Sequence, residues 1–291
     1  MSRAKTARHR RLPGLAAAAL LCTLAAVAAA SPAGAARRPA AVGANHPAGY
    51  QIVSSGSLNA APSALDTGGS AACPAGTVVW GGGASFVNGY FGPALTVNTS
   101  EPESAGWEAR VNNTGTSTAQ FAVDAICADK PKGYEFVSQS VDNPAGSQSQ
   151  ATAVCPSHKV VLGGGTLSTS DQAGAVLTSA WPAASKKFTA YMYNGTADDA
   201  RLIVYVVCGH KPTGYTIVSN SSSVGSGSTL LDGIACPAGT SALDGGAQAV
   251  GHSPLVQVGG SIDQGAFGWS LKMNNEAPST QEVDAYVICA A

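Results

Sequence analysis

Charge is scarce in this 291-residue chain: Asp, Glu, Lys and Arg together make up 11% of it, against 45% hydrophobic residues. Such a composition has little material for solvated helix surfaces, and no helical period of useful length follows the N-terminal segment. Beyond Arg37-Arg38 there is no Lys/Arg cluster, so the basic footprint that neutralises phosphates is missing and nucleic acid is excluded as a partner. No stretch after residue 30 is apolar for long enough to span a membrane. Catalytic and cofactor signatures are missing too. There is no His-Glu-x-x-His, Cys-x-x-Cys or Gly-x-Ser-x-Gly, and no glycine loop followed by Lys-Ser/Thr. The expectation is no cofactor, no metal site and no enzyme activity. The hydrophobic content still suffices for a core, which argues against disorder.

What is present begins with a targeting segment. Arg3, Lys5, Arg8, Arg10 and Arg11 form a basic region, Leu12 to Ala30 is a largely apolar run, and Ala33-Gly34-Ala35 is a small-x-small site. Residues 1–35 therefore read as a signal peptide cleaved near Ala35, with Ala30 as the competing site and 36–48 as a linker. Removal leaves 11 basic against 17 acidic residues, a formal charge of −6. Of seven cysteines, Cys22 departs with the signal; six remain, an even number in an exported chain, which reads as a disulfide framework.

The rest is one unit written three times. Gly49-Tyr50 recurs as Gly133-Tyr134 and Gly214-Tyr215, and Cys73-Pro74 as Cys155-Pro156 and Cys236-Pro237. Eight residues after each of these cysteines comes a glycine-rich step: Gly81-Gly82-Gly83, Gly163-Gly164-Gly165, then Asp244-Gly245-Gly246. An aromatic follows at Trp107, Phe188 and Trp269, an Asn at Asn113, Asn194 and Asn275, and a closing cysteine at Cys127, Cys208 and Cys289. Each of these last three sets advances in steps of 81 residues. The units are 49–132, 133–213 and 214–291, joined at Lys130-Pro131 and Lys211-Pro212, where proline interrupts a strand.

Inside each unit the pattern alternates. Phe121, Val123, Ala125 and Cys127 share one face, as do Leu202, Val204, Val206 and Cys208, and Val283, Ala285, Val287 and Cys289. Six or so short strands per unit predict an all-β protein of three homologous antiparallel modules, each a sandwich or barrel. The modules are either beads on a string or closed round a pseudo-three-fold axis. Triple glycine within a strand predicts a bulge or a close approach of two backbones. Two cysteine pairings respect the repeat. Neighbours could be laced, or each unit could close on itself as Cys73–Cys127, Cys155–Cys208 and Cys236–Cys289. The second is preferred because a unit near 80 residues buries a small core, and closing its 54-residue loop contributes about 4 kcal/mol.

The recurring polar and aromatic positions are the binding candidates. Trp107, Phe188 and Trp269, with Asn113, Asn194 and Asn275, offer a ring to stack on a sugar and an amide to bond its hydroxyls. The competing reading makes them core anchors and turn caps, and Phe188 favours it. Tyr50, Tyr134 and Tyr215 read as core or corner residues. His46, His158, His210 and His252 fall at non-equivalent places in the repeat and form no repeated metal site. Asp124, Asp198, Asp199 and Asp263 could pair in space, and a glycosidase needs only two carboxylates.

The run Cys-Pro-Ala-Gly-Thr, Gly-Gly-Gly, Gly-Trp, Asn-Asn and Val-x-Ala-x-Cys-Ala resembles uncharacterised secreted repeat proteins of high-GC Gram-positive bacteria. The resemblance covers nearly the whole mature chain, with departures at Asp244 and at Phe188. It implies export and the Cys-bounded module, and supplies no site. Three-fold β repeats are also similar in architecture alone to prism-type lectins, whose repeats are shorter. The expected function is extracellular, non-enzymatic, lectin-like binding of a glycan or cell-surface polymer. The alternatives are a secreted hydrolase with a loop-built site, and a structural or inhibitory protein that binds another protein.

Overall fold

The computed structural model describes residues 45–86 and 94–291. The segment read as a signal peptide, the expected cleavage site and most of the expected 36–48 linker lie outside these residues. Among the described residues every named element is a strand, and no helix is long and apolar enough to cross a membrane. The first module holds β1 (Gln51–Ser54), β2 (Leu58–Ala60), β3 (Thr67–Ala72), β4 (Thr77–Phe86), β5 (Leu95–Glu103), β6 (Gly106–Asn113) and β7 (Ala119–Asp129). The second holds β8 (Glu135–Asn143), β9 (Ser147–Val154), β10 (Lys159–Ser168), β11 (Ala175–Ala184), β12 (Lys187–Asn194) and β13 (Ala200–His210). The third holds β14 (Thr216–Val224), β15 (Thr229–Ala235), β16 (Ser241–Ala249), β17 (Val256–Asp263), β18 (Gly268–Asn275) and β19 (Gln281–Ala290). Six strands per module is the number expected, with β1 and β2 standing for one interrupted strand that runs along β7.

Pairing between these strands is antiparallel throughout, and the same wiring occurs three times. In each module the first strand pairs with the last, and the last with the third; the second pairs with the fifth, and the fifth with the fourth. These two halves of a module belong to different sheets. The sheet orders are β1-β7-β4-β17-β18-β15, β3-β6-β5-β10-β13-β8 and β14-β19-β16-β11-β12-β9. Each sheet therefore takes half its strands from one module and half from a neighbour, and the three sheets close into a three-sided prism. Of the two arrangements left open by the sequence, the closed one is found. The sandwich is shared between modules instead of contained within each.

The alternating faces meet inside. Phe121, Val123, Ala125, Leu202, Val204, Val206, Val283, Ala285 and Val287 are all buried, and one apolar cluster draws residues from all three modules. The disulfides pair as expected within each module, Cys73–Cys127, Cys155–Cys208 and Cys236–Cys289, closing sequence separations of 54, 53 and 53 residues. Each bridge joins the residue after a module's second strand to its last strand. It therefore bolts two different sheets together at an edge of the prism. Three disulfides also indicate an oxidising environment.

Each glycine of the triple step has a separate reason. A bulge precedes the step on β4, β10 and β16. The first glycines, Gly81 and Gly163, lie so close together that a Cβ on Gly163 would sit 2.9 Å from the Gly81 Cα. The second, Gly82, Gly164 and Gly245, lie under Trp107, Phe188 and Trp269, whose ring atoms come within 2.2–2.5 Å of where a Cβ would stand. The third, Gly83, Gly165 and Gly246, face the carbonyls of Ser261, Ser100 and Ala180 on the neighbouring module at 1.9, 2.3 and 2.0 Å. No side chain fits at any of them unless backbone or, at Gly164, the Phe188 ring moves.

Between modules the ladders are short. Each seam has one paired position: Ala84 with Ser261, Thr166 with Ser100, and Ala247 with Ala180. Side chains supplement them in a cycle. The hydroxyl of Tyr50 donates to the carbonyl of Ala242, that of Tyr134 to Val79 and that of Tyr215 to Val161, at 2.8, 2.7 and 2.9 Å. The tyrosines read as corner residues are thus latches, each reaching into the module next to its own. Removing one hydroxyl leaves a partly buried carbonyl without its donor, at a cost of about 1–3 kcal/mol. Tyr134→Phe is expected to lower the unfolding free energy by an amount in that range, and Tyr50→Phe and Tyr215→Phe by similar amounts. Equilibrium urea unfolding followed by tryptophan fluorescence checks this.

Candidate functional site

The six residues singled out for stacking and hydrogen bonding are interior. Trp107, Phe188 and Trp269 are at most 1% exposed. Their rings cover the middle glycines, and their polar edges are already matched. The indole N–H of Trp107 donates to Ser100 Oγ at 2.9 Å and that of Trp269 to Ser261 Oγ at 2.7 Å. Phe188, which has no donor, belongs to the module with Ala180 at that place. Asn113, Asn194 and Asn275 are fully buried and lock loops. The Asn113 amide donates to Ala60, Ala61 and Ser117 carbonyls, that of Asn194 to Asn143 and Asp198, and that of Asn275 to Val224, Gly225 and Ser279. Rings and amides are therefore consumed inside the protein, and none presents a face to a sugar. The core-anchor and turn-cap reading is the one the geometry supports.

The histidines are dispersed. His46 stacks on Tyr50, His158 occupies a turn with φ 65° where the other modules have Gly76 and Gly239, and His252 stacks on Tyr191. Among the described residues no group of three His, Cys, Asp or Glu could hold a metal ion.

The seams are where the three modules differ. Ser100, Ala180 and Ser261 line a small cavity of about 30 Å³ on the pseudo-three-fold axis, so the residue after each points to the outer face. There Glu101, Trp181 and Ile262 sit beside Gly165, Gly246 and Gly83, and beyond those glycines stand Tyr205, Tyr286 and Asp124. A bare glycine lets the flanking side chains approach each other across it. One geometry thus carries three different chemistries.

The first seam, between modules one and two, is charged. Glu101 faces Glu108 on β6, hydrogen-bonds Tyr205, and is pushed up to about 7 by burial and by the charges of Glu108 and Glu103. Arg110 holds Glu108 at 2.7 Å and Asp66 at 2.9 Å. The second seam is aromatic. Trp181 stacks on Tyr191 at 5.9 Å between centroids, and Tyr191 on His252 at 4.4 Å. Across Gly246 the Tyr286 hydroxyl lies 3.1 Å from Gln248 Oε1 and 3.4 Å from Asp284. An open groove of about 400 Å³, lined by Pro182, Lys211, Tyr215, Ile217 and Tyr286, runs beside it. The third seam is apolar with one acidic pair. Lys272, lowered to about 8 by burial, lies 4.8 Å over the Phe86 ring in a depression of about 250 Å³ shared with Leu231 and Ile262. Asp263 hydrogen-bonds Asp124 and is raised to about 7 by burial and then by that neighbour's charge. Of the four carboxylates that the sequence left free to pair in space, Asp124 and Asp263 do. Asp198 bonds Gln172 and Asp199 the Ala145 N–H instead.

Trp181, Tyr191, Tyr286 and Gln248 were not indicated by the repeat, because the repeat directs attention to residues that recur. Their signal in the sequence is the opposite one: positions where aligned modules disagree. No family model matches the chain, and a search of curated proteins finds no similar sequence.

Asp263 and Glu101 keep protons in the folded chain at pH values where an unfolded chain has released them. Folding then takes up protons between about pH 4 and 7, and stability falls as pH rises through that window. The urea midpoint is expected to be lower at pH 8 than at pH 5. The slope should shrink in Asp263→Asn, whose amide can still donate to Asp124, and shrink further with Glu101→Gln. Midpoints measured across that range check both.

Proposed function

We propose that this is a secreted, non-enzymatic, lectin-like protein that binds a glycan or cell-surface polymer at the second seam. The observation that carries the reading is the pair of half-buried rings Tyr191 and Tyr286, the first backed by the buried Trp181, beside Gln248, Asp284 and an open groove that Tyr286 lines. Aromatic surface with adjacent amide and carboxylate acceptors suits the apolar faces and hydroxyls of a sugar. The N-terminal pattern, the internal duplication and the three disulfides support export. Because the three seams differ, the protein has one such site, and three-fold avidity on a repetitive ligand is not part of the proposal. A hydrolase reading draws on Glu101, a carboxyl near 7 directly opposite Glu108, the division of roles between carboxyls that glycoside cleavage uses.

Binding to a glycan array and to insoluble cell-wall material tests the proposal. Tyr191→Ala and Gln248→Ala are expected to fold and to lose about tenfold in affinity, the scale of one stacking or hydrogen-bonding contact. Trp107→Ala is expected to fail by unfolding. Unaltered binding by both seam variants would sink the assignment. Release of reducing ends that disappears in Glu101→Gln would favour the hydrolase.

A further inference from the structure

At the axis the three modules break their symmetry. Gly81 and Gly163 occupy the first position of the step in two modules and Asp244 occupies it in the third. Asp244 is 1% exposed. Its Oδ2 accepts the Gly164 N–H at 2.5 Å, the backbone N–H groups of Gly82 and Gly245 lie close enough to favour its charged form, and its buried Oδ1 is left without a hydrogen-bond partner. These three donors are equivalent: each belongs to the second glycine of its module's step. The bulges turn them toward one point, so the fold itself builds a ring of backbone donors, the arrangement that binds anions elsewhere. There is room for one side chain in that ring. A Cβ on Gly163 would stand 2.8 Å from Asp244 Oδ2, and one on Gly81 would stand 2.7 Å from the Asp244 Cβ. The departure from glycine in one module and the retention of glycine in the other two thus have a single cause.

We propose that the axis is a binding site for a small carboxylate and that Asp244 is its tethered occupant, a ligand supplied by the third module to the donors of all three. Burial pushes the Asp244 carboxyl well above the usual carboxylate range, and the N–H groups of Gly164, Gly245 and Gly82, one from each module, oppose that shift without cancelling it, so the carboxyl touches all three modules where the seams themselves have one paired position each. Removing the carboxyl while keeping the backbone and Cβ leaves the ring of donors vacant, shaped for an ion the size of formate.

The test is Asp244→Ala, unfolded in urea at pH 8 with increasing sodium formate beside the wild type. The variant is expected to have a lower midpoint than the wild type, and formate is expected to raise it toward the wild-type value while leaving the wild type unmoved. Formamide, of the same size without the charge, is expected to do neither. Should Asp244→Ala fail to fold alone, its near-ultraviolet circular dichroism after refolding with formate replaces the midpoint. Asp244→Asn, which keeps the shape, is then expected to fold with a lowered midpoint. An Asp244→Ala or Asp244→Asn as stable as the wild type, or equal rescue by formate and formamide, would overturn the proposal.

Discussion

Three strands from three modules approach one axis so closely that only one of them can carry a side chain there, and the rest of the molecule follows from that constraint. β4, β10 and β16 meet where Cβ atoms on Gly81 or Gly163 would collide with neighbouring backbone. The triple-glycine step satisfies the constraint at successive residues: toward the axis, under an aromatic ring, and against the adjoining module. The aromatic is then required to refill the space the glycine vacates. Its own polar edge requires Ser100 or Ser261, or else Phe188 takes its place. The recurring residues of the sequence are links in one chain of steric necessity.

The same architecture separates stability from variation. Within a module, long antiparallel ladders and a disulfide joining two sheets hold the framework. Between modules, single paired positions are reinforced by tyrosine latches from Tyr50, Tyr134 and Tyr215. The outer surface over each seam is free of these demands, because Gly83, Gly165 and Gly246 already satisfy the close approach beneath it. Side chains there have diverged into a charged, an aromatic and an apolar set. A fold of this kind keeps one core three times and can change its outward chemistry three times independently.

Much of the framework was legible in the sequence because its causes are local. Alternation placed Val204 and Val287 inward, symmetry narrowed the cysteine pairings to two and the small core of each unit favoured the one found, and the glycine step announced a bulge and a close approach. The sharing of each module between two sheets was not legible. The contact of β4 with β17 depends on a residue pair, Ala84 and Ser261, with no signature in either segment. The site was misdirected for a related reason. Recurrence selects what the core needs, so Trp107 and Asn113 stood out, although both lie inside. Trp181 stood out only once Glu101 and Ile262 were known to occupy the same place at the other seams.

Residues 45–86 and 94–291 form one closed three-sided unit. Small-angle X-ray scattering of the oxidised chain tests it most directly. A compact unit of this length predicts a radius of gyration of about 18 Å and a single-peaked distance distribution. A markedly larger radius with an elongated, multi-peaked distribution would show three separate modules and contradict the account.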